Sequence, residues 1–129
     1  MAWVQLVALL ALLECIFFAY AVGKARETYQ LKAPATTGNE MFERYFRVQQ
    51  NTIEQLVLFL PSLFIAAAYW PAQWVAALGA VYLVGRLIYF RAYVTDPRSR
   101  SLGFLLSSAP VFVLIVGGAI GVVRVLLSS

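Results

Sequence analysis

The stretch Glu-Arg-Tyr-Phe-Arg-Val-Gln-Gln-Asn-Thr-Ile-Glu-Gln, Glu43 to Gln55, runs unbroken into Leu-Val-Leu-Phe-Leu-Pro-Ser-Leu-Phe-Ile-Ala-Ala-Ala-Tyr-Trp, Leu56 to Trp70. A polar opening with helical spacing continues into an apolar run from Ile53 to Trp70. A bilayer core of about 30 Å takes about 20 apolar residues as helix, because each residue rises about 1.5 Å. Three other segments meet that test: Ala2 to Val22, apolar except for Gln5 and Glu14; Ala72 to Phe90, with Arg86 near its end; and Leu102 to Val123, which carries no charge. Each satisfies its own backbone hydrogen bonds, as lipid demands. The reading is an all-α integral membrane four-helix bundle, one domain over residues 1–129, with helices at about 2–31, 40–69, 72–95 and 99–126.

Composition excludes the alternatives. Of 129 residues, 62% are hydrophobic and 12% charged, about half the charge of a soluble domain. A water-soluble globule of this size would expose large apolar patches, so the surplus must face lipid. With one cysteine, Cys15, and no histidine, an internal disulfide and histidine-based metal or base chemistry drop out, and no metal is expected. Ala2 onward lacks a basic n-region and a small-residue cleavage site, so the first helix reads as retained.

The formal charge of +4 does not point to nucleic acid, because the basic residues lie between apolar segments. Lys24, Arg26, Lys32, Arg44 and Arg47 belong to the first connection, and Arg86, Arg91, Arg98 and Arg100 to the third; only Arg124 lies opposite. By the positive-inside rule those connections are cytoplasmic and both termini lie outside. Pro34 to Asn39 is a turn cluster ending in an N-cap for a helix opening at Glu40, Tyr69-Trp70-Pro71 is a tight connection, Asp96-Pro97 ends the third helix, and Ser99 or Ser101 is placed to cap the fourth. Pro61 and Pro110 fall inside helices, where a kink is expected.

Arg44, Arg47, Asn51 and Glu54, spaced i, i+3, i+7 and i+10, fall within an arc of about 80° at 100° per residue. This stripe descends from the interface into apolar sequence, so Asn51 and Glu54 must face protein or a water-filled cavity; helix-to-helix glue is the plain structural alternative. The third helix repeats the arrangement with Arg86, Tyr89 and Tyr93, and Tyr82 one turn earlier. Tyrosines at an interface are commonly belt residues, but Arg86 lies too deep to reach the headgroups and calls for an acid, for which Glu54 is the obvious partner. Several arginines with one or two acids suit a small ligand bearing carboxylates and an ammonium. Arg26 and Arg100 are placed to close over it, while contact with anionic headgroups is the competing role for Arg26, Arg98 and Arg100.

Phe42-Glu43-Arg44-x-x-Arg47-x-Gln49-x-Asn51-x-x-Glu54, the following Leu58 to Leu60, and then Tyr82-Leu83-x-x-Arg86-x-x-Tyr89-x-x-x-Tyr93 resemble the membrane-associated proteins of eicosanoid and glutathione metabolism, MAPEG. The resemblance runs in order and spacing from about Arg26 to Arg100. It implies a homotrimer of four-helix bundles with glutathione held between subunits on the cytoplasmic side. Carried over by position, Arg26, Arg47, Asn51, Glu54, Tyr89 and Tyr93 would hold the peptide, Arg86 would support it, and Arg100 would face the thiol. This chain departs from the pattern at Gln55, where many glutathione-using members have tyrosine, and at Glu27, where some have a second basic residue.

The function this implies is a membrane-bound glutathione transferase acting on a hydrophobic electrophile from the bilayer, or a glutathione peroxidase reducing lipid hydroperoxides; the short chain and minimal loops point to a bacterial inner membrane. Two alternatives stand beside it. One is a non-catalytic lipid-binding scaffold of the same family. The other follows from Glu14, since a small four-helix protein with one acid in its first helix also resembles small multidrug-resistance transporters; an arginine-rich pocket repels their cationic cargo, and a pairing of Glu14 within the trimer core is the preferred reading. Cys15 beside it reads as an inert buried thiol.

Overall fold

The structure is a computed structural model that describes Met1–Ser129. Helix α1 spans Ala2–Tyr29, α2 Glu40–Tyr69, α3 Ala72–Thr95 and α4 Ser101–Ser128, with one 3₁₀ turn at Pro97–Ser99 and no strands. All four helices are long and apolar enough to cross a membrane.

Their ends follow local chemistry. Helix α1 stops two residues short of the expected boundary because Gln30 takes a left-handed φ of 55° and Leu31 N–H closes back on the Arg26 carbonyl at 3.0 Å, a Schellman-type stop. Asn39 caps α2, its Oδ1 accepting from Phe42 N–H at 3.0 Å. Neither Ser99 nor Ser101 caps α4. The Ser99 hydroxyl donates to the carbonyls of Ala92 and Asp96, and Arg100 holds the N-cap position without a side-chain cap. Pro97 has drawn Pro97–Ser99 into a separate turn, so the fourth helix starts at Ser101 rather than 99. Pro61 and Pro110 both lie within continuous helices.

Helices α2 and α3 pack on each other, and α1 and α4 each pack against both of them. The main core gathers Val4, Val7 and Ala11 of α1 with Phe59 and Leu63 of α2, Val75 and Tyr82 of α3, and Val111 and Leu114 of α4. A smaller cluster of Phe18, Val48 and Tyr89 follows toward the basic connections, then one of Val22, Ala25 and Phe42. Only 29 of 129 residues are buried, and large apolar side chains such as Leu9, Ile16, Val57, Phe112 and Leu127 point outward, which is stable in lipid and not in water.

Glycine brings α3 and α4 together. A Cβ on Gly85 would come within 2.7 Å of Ser107 N, and one on Gly103 would overlap the Tyr89 backbone. Small residues allow such close approach in membrane helix pairs. Gly103 thereby fixes the position of Tyr89.

Candidate functional site

Two polar regions share the half of α2 nearer the basic connections, one turned inward and one outward. The inward face runs Val48, Thr52, Gln55, Phe59, all buried. Against it lies Arg86 of α3, wholly inaccessible. Arg86 Nη2 donates to Thr52 Oγ1 at 2.7 Å; the Thr52 hydroxyl in turn donates to the Val48 carbonyl at 2.8 Å. The guanidinium also stands 4.4 Å from the centroid of the Tyr89 ring, a cation–π geometry.

The expected pairing of Arg86 with Glu54 does not occur. Two residues of helix turn a side chain by about 200°, so a face that presents Thr52 to α3 turns Glu54 away from it. Gln55 is likewise internal, its Nε2 donating to Ser108 Oγ of α4 at 3.4 Å.

Arg47 and Glu54 form the outward ridge, with Asn51 half-buried between them. Seven residues apart, they align within about 20° and stand about 10 Å apart along the axis. Neither has an ion-pair partner, since the chain's one ion pair is Arg44 with Glu40 at 3.1 Å. Asn51 Oδ1 is buried without a protein partner. Arg44, at the edge of the sequence stripe, is drawn out of it: Nη1 donates to the carbonyls of Val94 and Thr95 at 3.0 and 3.1 Å. That satisfies the C-terminal end of α3, where a cation is favoured.

The remaining candidates sit above these faces. Tyr93 is half-buried, its ring 5.6 Å from that of Tyr89. Tyr89 therefore stands between the Arg86 guanidinium and Tyr93 on one face of α3. Arg100 is exposed, with Nη1 donating to the Pro97 carbonyl at 2.7 Å. Arg26 stands apart. Its Nη1 donates to the Ala35 carbonyl at 2.7 Å and its guanidinium covers the Phe42 ring at 4.8 Å, so within the chain it braces the α1–α2 connection. Arg98 contributes a backbone N–H to Asp96 Oδ1, and Glu27 is exposed.

Sequence reading missed Thr52. A neutral hydroxyl carries no charge signal, and only its place on the Val48, Thr52, Gln55, Phe59 register marks it as internal. Chemically, the outward ridge offers a guanidinium, an amide and a carboxylate in one line, which fits a zwitterionic peptide better than a metal ion or a polyanion.

The sequence profile of the MAPEG family matches residues 4–120. The chain belongs to the MAPEG family. It is 42% identical over 120 residues to an uncharacterized protein of Synechocystis sp., with 93% of this chain and 88% of that one covered. It is 39% identical over 116 residues to human microsomal glutathione S-transferase 2, covering 90% and 79%, and 34% identical over 115 residues to bovine leukotriene C4 synthase, covering 89% and 77%. This MAPEG protein is an integral, multi-pass membrane protein with a family-level link to glutathione chemistry.

Proposed function

We propose that this MAPEG protein is a glutathione transferase that acts as a homotrimer, binds glutathione between subunits on the cytoplasmic side of a bacterial inner membrane, and conjugates hydrophobic electrophiles delivered by the bilayer. The observation that supports this most is the outward ridge. An arginine and a glutamate without ion-pair partners, on the outer face of an otherwise lipid-compatible helix, are unfavourable against lipid and favourable against a polar ligand enclosed by a second subunit. Arg47, Asn51 and Glu54 would hold the peptide's carboxylates and ammonium, with Tyr89 and Tyr93 beside them and Arg86 supporting Tyr89 from beneath. Arg26, half-buried and facing its own connection, would reach the site of a neighbouring subunit.

The chemistry begins with thiol ionisation. A thiol of pKa near 8.5 is about 3% ionised at pH 7, and lowering that pKa by 2 units takes about 2.7 kcal/mol of preferential thiolate stabilisation. Arg100, exposed beside the α3–α4 turn, is the guanidinium assigned to that task. The thiolate then attacks an electrophilic carbon and the leaving group departs with its electron pair. The same thiolate attacking the terminal oxygen of a lipid hydroperoxide, with the O–O bond breaking and the lipid leaving as its alcohol, would make the enzyme a peroxidase, a second glutathione then converting the sulfenic acid to the disulfide and water.

Titration of the detergent-solubilised protein with glutathione tests the reading by ultraviolet thiolate absorbance. An enzyme gives a saturable signal; binding without it identifies a non-catalytic scaffold, and no binding removes the proposal. Crosslinking in mild detergent is expected to trap trimers, and a ladder that stops at monomer would remove the intersubunit site.

A further inference from the structure

Arg86 is the largest wholly buried side chain of the molecule, and one neutral hydroxyl does not balance its charge. Nε and Nη1 of Arg86 have no protein partner. Three observations identify the balancing group. Helices α1 and α3 run in the same direction, and contacts between them keep one offset: Val7 meets Gly79, and Phe18 stacks on Phe90 with centroids 4.9 Å apart. Carried to the turn between, the same offset sets Glu14 opposite Arg86. Second, Glu14 Oε1 is buried without a partner, as is the Tyr82 hydroxyl one turn from Arg86. Third, the cleft of about 370 Å³ that borders Glu14 on its lipid side is lined otherwise by Leu10, Leu13, Phe17, Leu83 and Leu87, so the carboxylate has no polar neighbour in that direction.

We infer that Glu14 is the counter-charge of Arg86 and, through Arg86, a positioning residue for Tyr89. The two groups do not form a direct ion pair. The buried donors of Arg86, the Tyr82 hydroxyl and Glu14 Oε1 are complementary, and such groups are bridged by internal water as a rule. With its charge balanced from α1, Arg86 stays under the Tyr89 ring rather than drawing water or ligand carboxylate downward. The acid therefore acts within one subunit, between α1 and α3, and not in a trimer core or as a drug-binding carboxylate.

The effect on glutathione rests on the proposed transferase reading; the pairing itself does not. Glu14→Gln, Glu14→Asp, Arg86→Met and the double variant Glu14→Gln/Arg86→Met are compared as full-length protein in detergent, by thermal unfolding and by glutathione titration. Glu14→Gln is expected to lower the melting temperature by about 5 °C or more and to weaken glutathione at least about tenfold, with most of both restored in Glu14→Asp. The double variant is expected to unfold no earlier than the less stable single, the mark of coupled residues. Additive losses, or wild-type behaviour of Glu14→Gln, overturn the inference. If Arg86→Met does not accumulate, the contrast between Glu14→Gln and Glu14→Asp decides, equal losses counting against it. Coupling in unfolding without any glutathione binding by the wild type would uphold the pair and fail the transferase reading instead.

Discussion

The two polar faces of α2 serve opposite ends with different residue types, neutral on the inward side and charged on the outward. On the inward face, Thr52 and Gln55 meet Arg86 and Ser108 in bonds that tie three helices together; on the outward face, Arg47 and Glu54 tie nothing within the chain. Burying a charge inside one bundle is costly to satisfy and, once satisfied, costly to break. A charge turned outward from a membrane helix gives the isolated subunit nothing. The comparison separates residues that make the fold from residues proposed to hold a ligand, and it is open to breakage from either side.

The largest effect belongs to neither face but to the cation above them. Arg100→Ala is expected to keep most glutathione affinity, lose the thiolate absorbance and reduce turnover with a chlorinated nitrobenzene acceptor by at least about a hundredfold, since about 2.7 kcal/mol is a factor of a hundred. Arg100 bonds only the nearby Pro97 carbonyl, so its loss leaves the bundle intact. Unchanged turnover would take Arg100 out of the mechanism and move the thiolate-stabilising role to Arg98.

Next comes the outward ridge. Arg47→Ala and Glu54→Ala are expected to weaken glutathione at least about tenfold, a loss of about 1.4 kcal/mol or more, with the melting temperature of the unliganded protein little changed. Wild-type affinity in both variants would reduce the ridge to glue between subunits. A large loss of thermal stability would do the same.

Sequence pattern reached the four helices, the Asn39 cap and the polar stripes because each has a local cause: apolar length, a capping side chain, a spacing of three and four. It did not reach the partner of Arg86. The expectation of Glu54 came from matching charges, whereas the helix turn places Thr52, not Glu54, toward α3. Nor did the stripe reveal that Arg44 would leave it for the carbonyls of Val94 and Thr95, since those acceptors belong to a backbone end some fifty residues away. The start of α4 differs from the sequence pattern for a related reason. Ser99 had two carbonyls closer than the helix it was expected to cap. Side chains at the correct periodicity thus announce a face; which neighbour they meet depends on how the helices pack.

The smallest effect on the ligand is expected from the inward face, and Thr52→Val measures it. Valine keeps the shape and removes Oγ1, so Arg86 loses its only protein hydrogen bond. Hydrogen bonds to charged groups contribute about 1.5 to 3 kcal/mol, and the loss appears chiefly as stability because the group left unsatisfied is buried. The melting temperature should fall by several degrees while glutathione affinity changes less than in Glu54→Ala, its neighbour two residues on. Isothermal titration beside thermal unfolding reads both quantities from the same two proteins. A Thr52→Val variant that unfolds normally but binds glutathione as poorly as Glu54→Ala would show that the inward face belongs to the site itself, with Arg86 reaching the ligand directly rather than through Tyr89.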